Sequence, residues 1–248
     1  TRLSLVISLF ILVSCGSKNP TTVGDSKKST TMENNKKSAI MGGTNVVEKS
    51  LISQSIVGIY NVKEQYICTG SLIAPSIVMT AAHCVEGRPS ELRVIFGLDV
   101  DDMMNAREID FKEEHVRMAT DYRANPIYAQ KKNQPGEPVD TGDIALIKFK
   151  GVAPEGYKPA QFLQDASALQ RGAMVTVAGY GVNEVDAQPV NPKKVPHLEQ
   201  AIEEGDLVCD DQRTHCFKIE MYGDGILRQA KAPISLVGET EIRLDESK

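Results

Sequence analysis

The segment of residues 68–84 constrains the fold of this chain more than any other. Its sequence, CTGSLIAPSIVMTAAHC, reads as two short apolar strands around a turn at Pro75, and it ends on His83, which stands between small residues and a cysteine. Short runs of valine, isoleucine and threonine bounded by turn residues are typical of β-strands. Such a hairpin brings Cys68 and Cys84 within reach of a disulfide. We therefore expect His83 to be presented at the end of a strand.

A single histidine in an apolar run is more often a packed core residue than a catalytic one. Here, however, the whole segment resembles the catalytic-histidine segment of the trypsin-like serine proteases, in which C-G-G-S-L-I is followed by V-L-T-A-A-H-C. Members of this family fold into two β-barrels and hydrolyse peptide bonds with a Ser-His-Asp triad. The resemblance implies that His83 is the general base, and then the general acid, of a serine-type endopeptidase.

A second motif supplies a carboxylate. Residues 142–147 read GDIALI, which is very close to the N-D-I-A-L-I of the same family, and Asp143 stands directly before an apolar run. A lone aspartate in that position is usually a turn residue. Together with the histidine segment, the motif implies that Asp143 holds the imidazole of His83 in the correct tautomer and stabilises its positive charge.

Shorter motifs extend the resemblance into the second half of the chain. Residues 172–181 read GAMVTVAGYG and resemble the family's V-x-V-A-G-W-G, with Tyr180 in place of tryptophan. Residues 225–234 resemble its L-R/Q-x-A-x-x-P-I strand. The resemblance runs from Ile40 to Ser235 and implies an all-β, two-barrel chymotrypsin-like fold. The first barrel is expected in residues 40–150, after which residues 161–169 look helical, and part of a second barrel is expected in residues 171–248.

Strands are predicted from short apolar runs between turn residues. In the first half they are residues 55–60, 71–80, 92–96, 114–118 and 144–149. In the second half they are residues 173–179, 226–235 and 241–244, with an insertion predicted over residues 185–219. Three strands are too few to complete a barrel of the family's type. We therefore expect the first barrel to be complete and the second to be only partly present.

The family's nucleophile loop, G-D-S-G-G-P, does not occur in the 248 residues. Ser235 and Ser247 follow the connector between the halves, but they lack the flanking glycines through which the backbone forms an oxyanion hole. Truncation before the nucleophile loop is the interpretation we favour, and the chain as given is expected to be inactive. The alternative is a pseudoprotease that keeps the fold as a surface-anchored binding protein.

Five cysteines are an odd number, and in an exported protein the unpaired one needs an explanation. Cys209 and Cys216 are seven residues apart and suit a small disulfide loop, in addition to the pair at Cys68 and Cys84. Cys15 remains. It ends the sequence LVSC, which resembles the bacterial lipobox, and this resemblance implies lipidation of its thiol.

Residues 1–15 are predicted to be a signal peptide. Arg2 precedes an apolar run over residues 3–13 that is too short to span a bilayer comfortably. With Cys15 as the lipidated residue and Gly16 after it, the expected location is the outer membrane or the cell surface. The membrane is then a partner of this chain through its lipid anchor.

Residues 16–39 are rich in Ser, Thr, Asn and Lys and are predicted to be a flexible tether or propeptide. Directly after them, Ile40-Met-Gly-Gly resembles the I-V-G-G amino terminus that trypsin-like zymogens gain on activation. Cleavage is therefore expected after Ala39, although the family's usual residue there is Lys or Arg. Such cleavage separates residues 40–248, the predicted protease domain, from Cys15 and releases it as a secreted enzyme.

The composition argues against several other classes of function. A net charge of -5 and the lack of a glycine-rich phosphate loop argue against binding of nucleic acid or nucleotides. His197 and His215 lie in polar sequence with no third ligand at metal spacing, so they are expected at the surface. No metal and no other cofactor is implied. The expected partners are polypeptide substrates, and the protein is expected to be a monomer.

Overall fold

The computed structural model describes residues 43–101, 115–131, 142–182, 184–203, 205–210, 212–238 and 242–244. Cys15, Ala39, Ile40, the predicted signal peptide and the predicted tether lie outside these ranges. In the described ranges, no helix is both long enough and apolar enough to cross a bilayer.

The first half of the described chain forms a closed barrel of six antiparallel strands. Strand β1 (Thr44–Asn45) precedes the barrel. The barrel strands are β2 (Ile56–Asn61), β3 (Tyr66–Ala74), β4 (Ile77–Thr80), β5 (Leu92–Ile95), β6 (Val116–Ala124) and β7 (Ala145–Phe149). The order around the barrel is β2-β3-β4-β7-β6-β5. Closure pairs each of these six strands on both sides, so the barrel has no free backbone edge. The prediction of an all-β fold with a complete first barrel is confirmed.

The barrel core follows from the alternation of apolar residues along its strands. In β7, Ala145, Ile147 and Phe149 are buried, while the two residues between them are exposed. Strand β2 departs from this alternation, because all six of its residues are buried. Val57 faces the barrel core, whereas Ile56 packs into a second core with residues of the other half. Strand β2 therefore lies between the two halves.

Gly70 in β3 lies where the barrel leaves no room for a side chain. A β-carbon at this position would lie 2.4 Å from Cγ1 of Val78. We therefore expect Gly70→Ala to lower the free energy of unfolding by about 1–3 kcal/mol, as overpacked core positions do, measured by urea unfolding. Gly181→Ala is the matched control, because a β-carbon there meets no atom within 4 Å. Equal stability of the two variants would contradict this packing.

The second half forms an open sheet and a separate small sheet. Its strands are β8 (Met174–Gly179), β9 (Glu184–Val190), β10 (Leu207–Cys209), β11 (Cys216–Tyr222), β12 (Arg228–Val237) and β13 (Ile242–Leu244). Strand β12 pairs with β8, β1 and β13. The pairs made by the described strands do not close this sheet, which agrees with a second barrel that is only partly present.

The predicted insertion is the small sheet, in the order β10-β11-β9. The described α-helices are both short: α1 (Pro126–Lys131) and α2 (Leu198–Glu203), the second of which lies within the insertion.

The helical prediction for residues 161–169 is wrong, since this stretch contains only a 3-10 turn at Ala166–Ala168. Asp165 accepts hydrogen bonds from the backbone N–H and the hydroxyl of Ser167. Such local bonds compete with a continuous helix.

Tyr180 connects the two halves. Its ring is fully buried, and its hydroxyl donates a 2.6 Å hydrogen bond to the carbonyl of Gly97. Its backbone N–H donates to Oγ1 of Thr69 in β3 at 3.0 Å. Burial raises the pKa of the phenol well above its usual value, so the hydroxyl keeps its proton and remains a donor.

We expect Tyr180→Phe to lower the free energy of unfolding by about 1–3 kcal/mol, because it removes the hydrogen bond that this buried tyrosine donates to the carbonyl of Gly97. Tyr122→Phe is the control. It removes a similar bond, from the Tyr122 hydroxyl to the carbonyl of Gly87, at an exposed site where water can replace it. The control is expected to change stability by less than about 0.5 kcal/mol. Equal losses in urea unfolding would refute the structural role of the buried hydroxyl.

Candidate active site

The pairing of β4 with β7 brings His83 and Asp143 together. The last residue of β4, Thr80, pairs with the first residue of β7, Ala145. His83 follows Thr80 by three residues and Asp143 precedes Ala145 by two, so both lie at the same end of this strand pair. His83 stands on a 3-10 turn over Ala82–Val85, which is anchored by the burial of the other three residues.

His83 and Asp143 share two hydrogen bonds. Nδ1 of His83 lies 2.7 Å from Oδ2 of Asp143, and the backbone N–H of His83 donates to Oδ1 at 2.9 Å. The Asp143 side chain is 4% exposed and that of His83 is 29% exposed. Because a carboxylate only accepts hydrogen bonds, Nδ1 carries the proton in the neutral ring. The lone pair is then on Nε2, where the ring can act as a base.

The backbone around Asp143 is held by the turn before β7. Gly142 has a φ of 71°, in the left-handed region that favours glycine, and a β-carbon there would lie 3.1 Å from Nδ2 of Asn125. The backbone N–H of Asn125 donates to the carbonyl of Ile144 at 2.8 Å. Tyr128 follows in α1, and its pKa is raised by burial and then by the charge of Asp143. The backbone is therefore held on both sides of Asp143, at Gly142 and at Ile144.

The disulfide between Cys68 and Cys84 lies against the imidazole. It joins β3 to the 3-10 turn, with the two Cα atoms 6.1 Å apart. The Sγ atom of Cys84 is 3.3 Å from Nε2 of His83. The hydroxyl of Tyr66 lies 3.5 Å from the carbonyl oxygen of His83. The structure thus brings the two predicted cysteines to the same place as His83 and Asp143.

The remaining predicted residues lie elsewhere. Cys209 and Cys216 form a disulfide that closes the β10–β11 hairpin of the insertion. In the same loop, hydrogen bonds from Thr214 and then from His215 lower the pKa of Asp210. The side chain of His215 is 78% exposed, and His197 is also exposed. The insertion therefore contributes no described residue to the contacts of His83.

The arrangement can accept a proton at Nε2 and stabilise the resulting cation through the buried carboxylate. No serine hydroxyl in the described ranges forms a hydrogen bond with His83. Sequence reasoning did not anticipate the second bond, from the His83 backbone to Oδ1, or the positions of Tyr66 and Tyr128. No local pattern encodes them, because they depend on how β3, β4, α1 and β7 meet in the folded barrel.

The chain is similar to several known proteins. The family model described as Trypsin matches residues 40–224. Coagulation factor XII of Bos taurus is 55% identical over 131 residues, which is 48% of this chain and 19% of the relative. Coagulation factor XII of Sus scrofa is 35% identical over 130 residues, 47% of this chain and 19% of the relative. Granzyme F of Mus musculus is 29% identical over 128 residues, 50% of this chain and 44% of the relative. The chain therefore spans less than half of the length of these relatives.

Proposed function

This chain belongs to the trypsin family of serine proteases, and on that premise we propose that it provides the His-Asp part of a serine endopeptidase site. His83 is the general base and then the general acid, and Asp143 is the residue that orients it. The observation that supports this proposal is the 2.7 Å contact between Nδ1 of His83 and Oδ2 of Asp143, in which the carboxylate is buried and the imidazole is partly exposed.

In the proposed reaction, Nε2 of His83 takes the proton of a serine hydroxyl as the oxygen attacks the scissile carbonyl carbon. The same nitrogen then gives the proton to the leaving amine when the peptide C–N bond breaks. Asp143 keeps the proton on Nδ1 before the reaction and stabilises the imidazolium that forms. The backbone bond to Oδ1 fixes the carboxylate relative to the ring. The substrates are polypeptides.

The family takes its nucleophile from a G-D-S-G-G-P loop, and the 248 residues contain no such sequence. We therefore assign to these residues the proton-transfer groups of the site and not its nucleophile. The alternative function is that of a pseudoprotease, an inactive binding protein with the same fold. The observation that favours this alternative is the insertion sheet, whose strands β9, β10 and β11 pair only with one another among the described strands.

The proposal includes an exported, membrane-attached monomer. Two disulfides are typical of proteins outside the reducing cytosol. The LVSC sequence at Cys15 supports a lipid anchor at the outer membrane or cell surface, and the Ile40-Met-Gly-Gly sequence supports activation by cleavage after Ala39. Cleavage at that bond would release the protease domain from Cys15.

The experiment that tests the proposed activity compares two proteins: the 248-residue chain and the product of the complete open reading frame that encodes it. Each is purified and incubated with a fluorogenic peptide library. We expect the complete product to hydrolyse peptides and the 248-residue chain to be at least about 10³-fold slower, since removal of the nucleophile leaves only residual catalysis. A complete product that is folded and equally inactive would instead support the binding protein.

A further inference from the structure

We propose that Tyr66 and Asn61 are positioning residues of the candidate active site. They hold the backbone at His83, so that its ring stays aligned with Asp143. The supporting observation is a chain of hydrogen bonds that runs from the amide of Asn61 through the hydroxyl of Tyr66 to the carbonyl oxygen of His83. The inference rests on the proposed function for its catalytic consequence.

The side-chain amide of Asn61 has a defined orientation. Asn61 is the last residue of β2 and is 1% exposed. The backbone N–H groups of Lys63 and Glu64 donate hydrogen bonds to it, at 3.0 and 3.1 Å. Because an N–H group only donates, the amide atom that faces these two groups is the oxygen, Oδ1. The NH₂ group therefore points the other way, where it donates to the carbonyl of Glu86 at 3.2 Å and to the hydroxyl of Tyr66 at 3.5 Å.

The orientation of Asn61 determines the direction of the next hydrogen bond. Asn61 and Tyr66 face each other in the antiparallel pair of β2 and β3. The Tyr66 oxygen accepts the amide N–H, so its own proton is available for a second partner. That partner is the carbonyl oxygen of His83, at 3.5 Å. Burial raises the pKa of Tyr66, so the hydroxyl keeps its proton and remains a donor at neutral pH.

The backbone of His83 is thereby held on both sides of its Cα atom. Its N–H donates to Oδ1 of Asp143 at 2.9 Å, and its carbonyl accepts from Tyr66. The bond from Asn61 to the carbonyl of Glu86 holds the residue that directly follows the 3-10 turn. Because the peptide groups before and after Cα set the direction of the side chain, these bonds also set how Nδ1 of His83 approaches Asp143.

The first test measures how fast the Nδ1–H proton of His83 exchanges with water in the 248-residue chain, by ¹⁵N-resolved NMR. We expect Tyr66→Phe, which removes only the hydroxyl, to speed this exchange by at least about 10-fold through a local opening at the site, while the amides of the barrel strands exchange as before. Tyr122→Phe is the matched control. It also removes a bond from a tyrosine hydroxyl to a carbonyl, that of Gly87, and should leave the His83 proton unchanged.

Asn61→Asp tests the donor side of the asparagine alone. The carboxylate keeps Oδ1 as the acceptor of the turn, but it accepts the proton of the Tyr66 hydroxyl and so takes that bond away from His83. The Nδ1–H proton is expected to exchange about as fast as in Tyr66→Phe. Asn191→Asp is the control, because it adds the same charge and Oδ1 of Asn191 accepts from the N–H of Lys193 at 3.0 Å in the insertion. This variant should leave the exchange rate unchanged.

In the product of the complete open reading frame, Tyr66→Phe should lower kcat by about 10-fold with little change in KM, since a displaced base acts mainly on the transition state. An Nδ1–H exchange rate in Tyr66→Phe equal to that of the unmodified chain would overturn the proposal. An equal rise in the exchange of the barrel amides would also overturn it, because the hydroxyl would then serve general stability. The exchange measurement needs no serine, so its result is separate from whether the complete product hydrolyses peptides.

Discussion

Replacing His83 with alanine is expected to lower kcat for peptide hydrolysis by about 10⁶-fold in the product of the complete open reading frame. The loss is large because the nucleophile, the base and the orienting carboxylate act as a unit, so removing the base costs about as much as removing all three. The measurement is initial-rate hydrolysis of the fluorogenic peptide that the unmodified protein cleaves best. KM is expected to change much less than kcat, because the imidazole acts in the transition state.

The insertion offers a matched control for this substitution. His215 also pairs with an aspartate, with Nδ1 at 2.9 Å from Oδ2 of Asp210, but its side chain is 78% exposed. His215→Ala should leave kcat within about 2-fold of the unmodified protein, as surface substitutions usually have small effects. If His83→Ala lost no more activity than His215→Ala, the assignment of the general base would be wrong.

Asp143→Asn is expected to lower kcat by about 10⁴-fold, the size of loss that the same change causes in this family. The substitution keeps the shape of the side chain but allows an amide N–H to face Nδ1 of His83. Nδ1 then accepts a hydrogen bond and the ring proton moves to Nε2. The base is lost although the imidazole remains in place.

The change of tautomer can be measured in the 248-residue chain by ¹⁵N NMR of the histidine rings. We expect the neutral His83 ring to carry its proton on Nδ1 in the unmodified chain and on Nε2 after Asp143→Asn. Asp210→Asn is the control and should leave the His83 signals unchanged. An unaltered tautomer in Asp143→Asn would show that Asp143 does not orient the ring.

The closeness of His83 and Asp143 could be expected from the sequence, because each residue stands in a short, continuous motif. The segment around His83 and the GDIALI motif each place one group beside a strand, and antiparallel pairing of β4 and β7 then brings the two groups together. The cysteine spacings likewise led to both disulfides in the structure. Each segment encodes a strand and the residues at its end, and the same local structure is present in the folded barrel.

Features that depend on contacts between distant parts of the chain could not be predicted from the sequence. The insertion forms its own sheet because β9 pairs with β11 across residues 191–215, and such pairing is not encoded in either strand alone. The continuous burial of β2 arises from contact with both cores. The helical pattern of residues 161–169 failed because side-chain bonds at Asp165 formed a local turn instead.

The most direct test of the central claim is labelling with a fluorophosphonate, which forms a covalent bond with a serine oxygen only when that serine is activated. The product of the complete open reading frame is treated with the reagent and its mass is measured, followed by peptide mapping. Our account predicts one phosphonyl group on a serine of the unmodified protein and none in His83→Ala. Absence of a label in the unmodified, folded protein, or equal labelling of His83→Ala, would contradict the account.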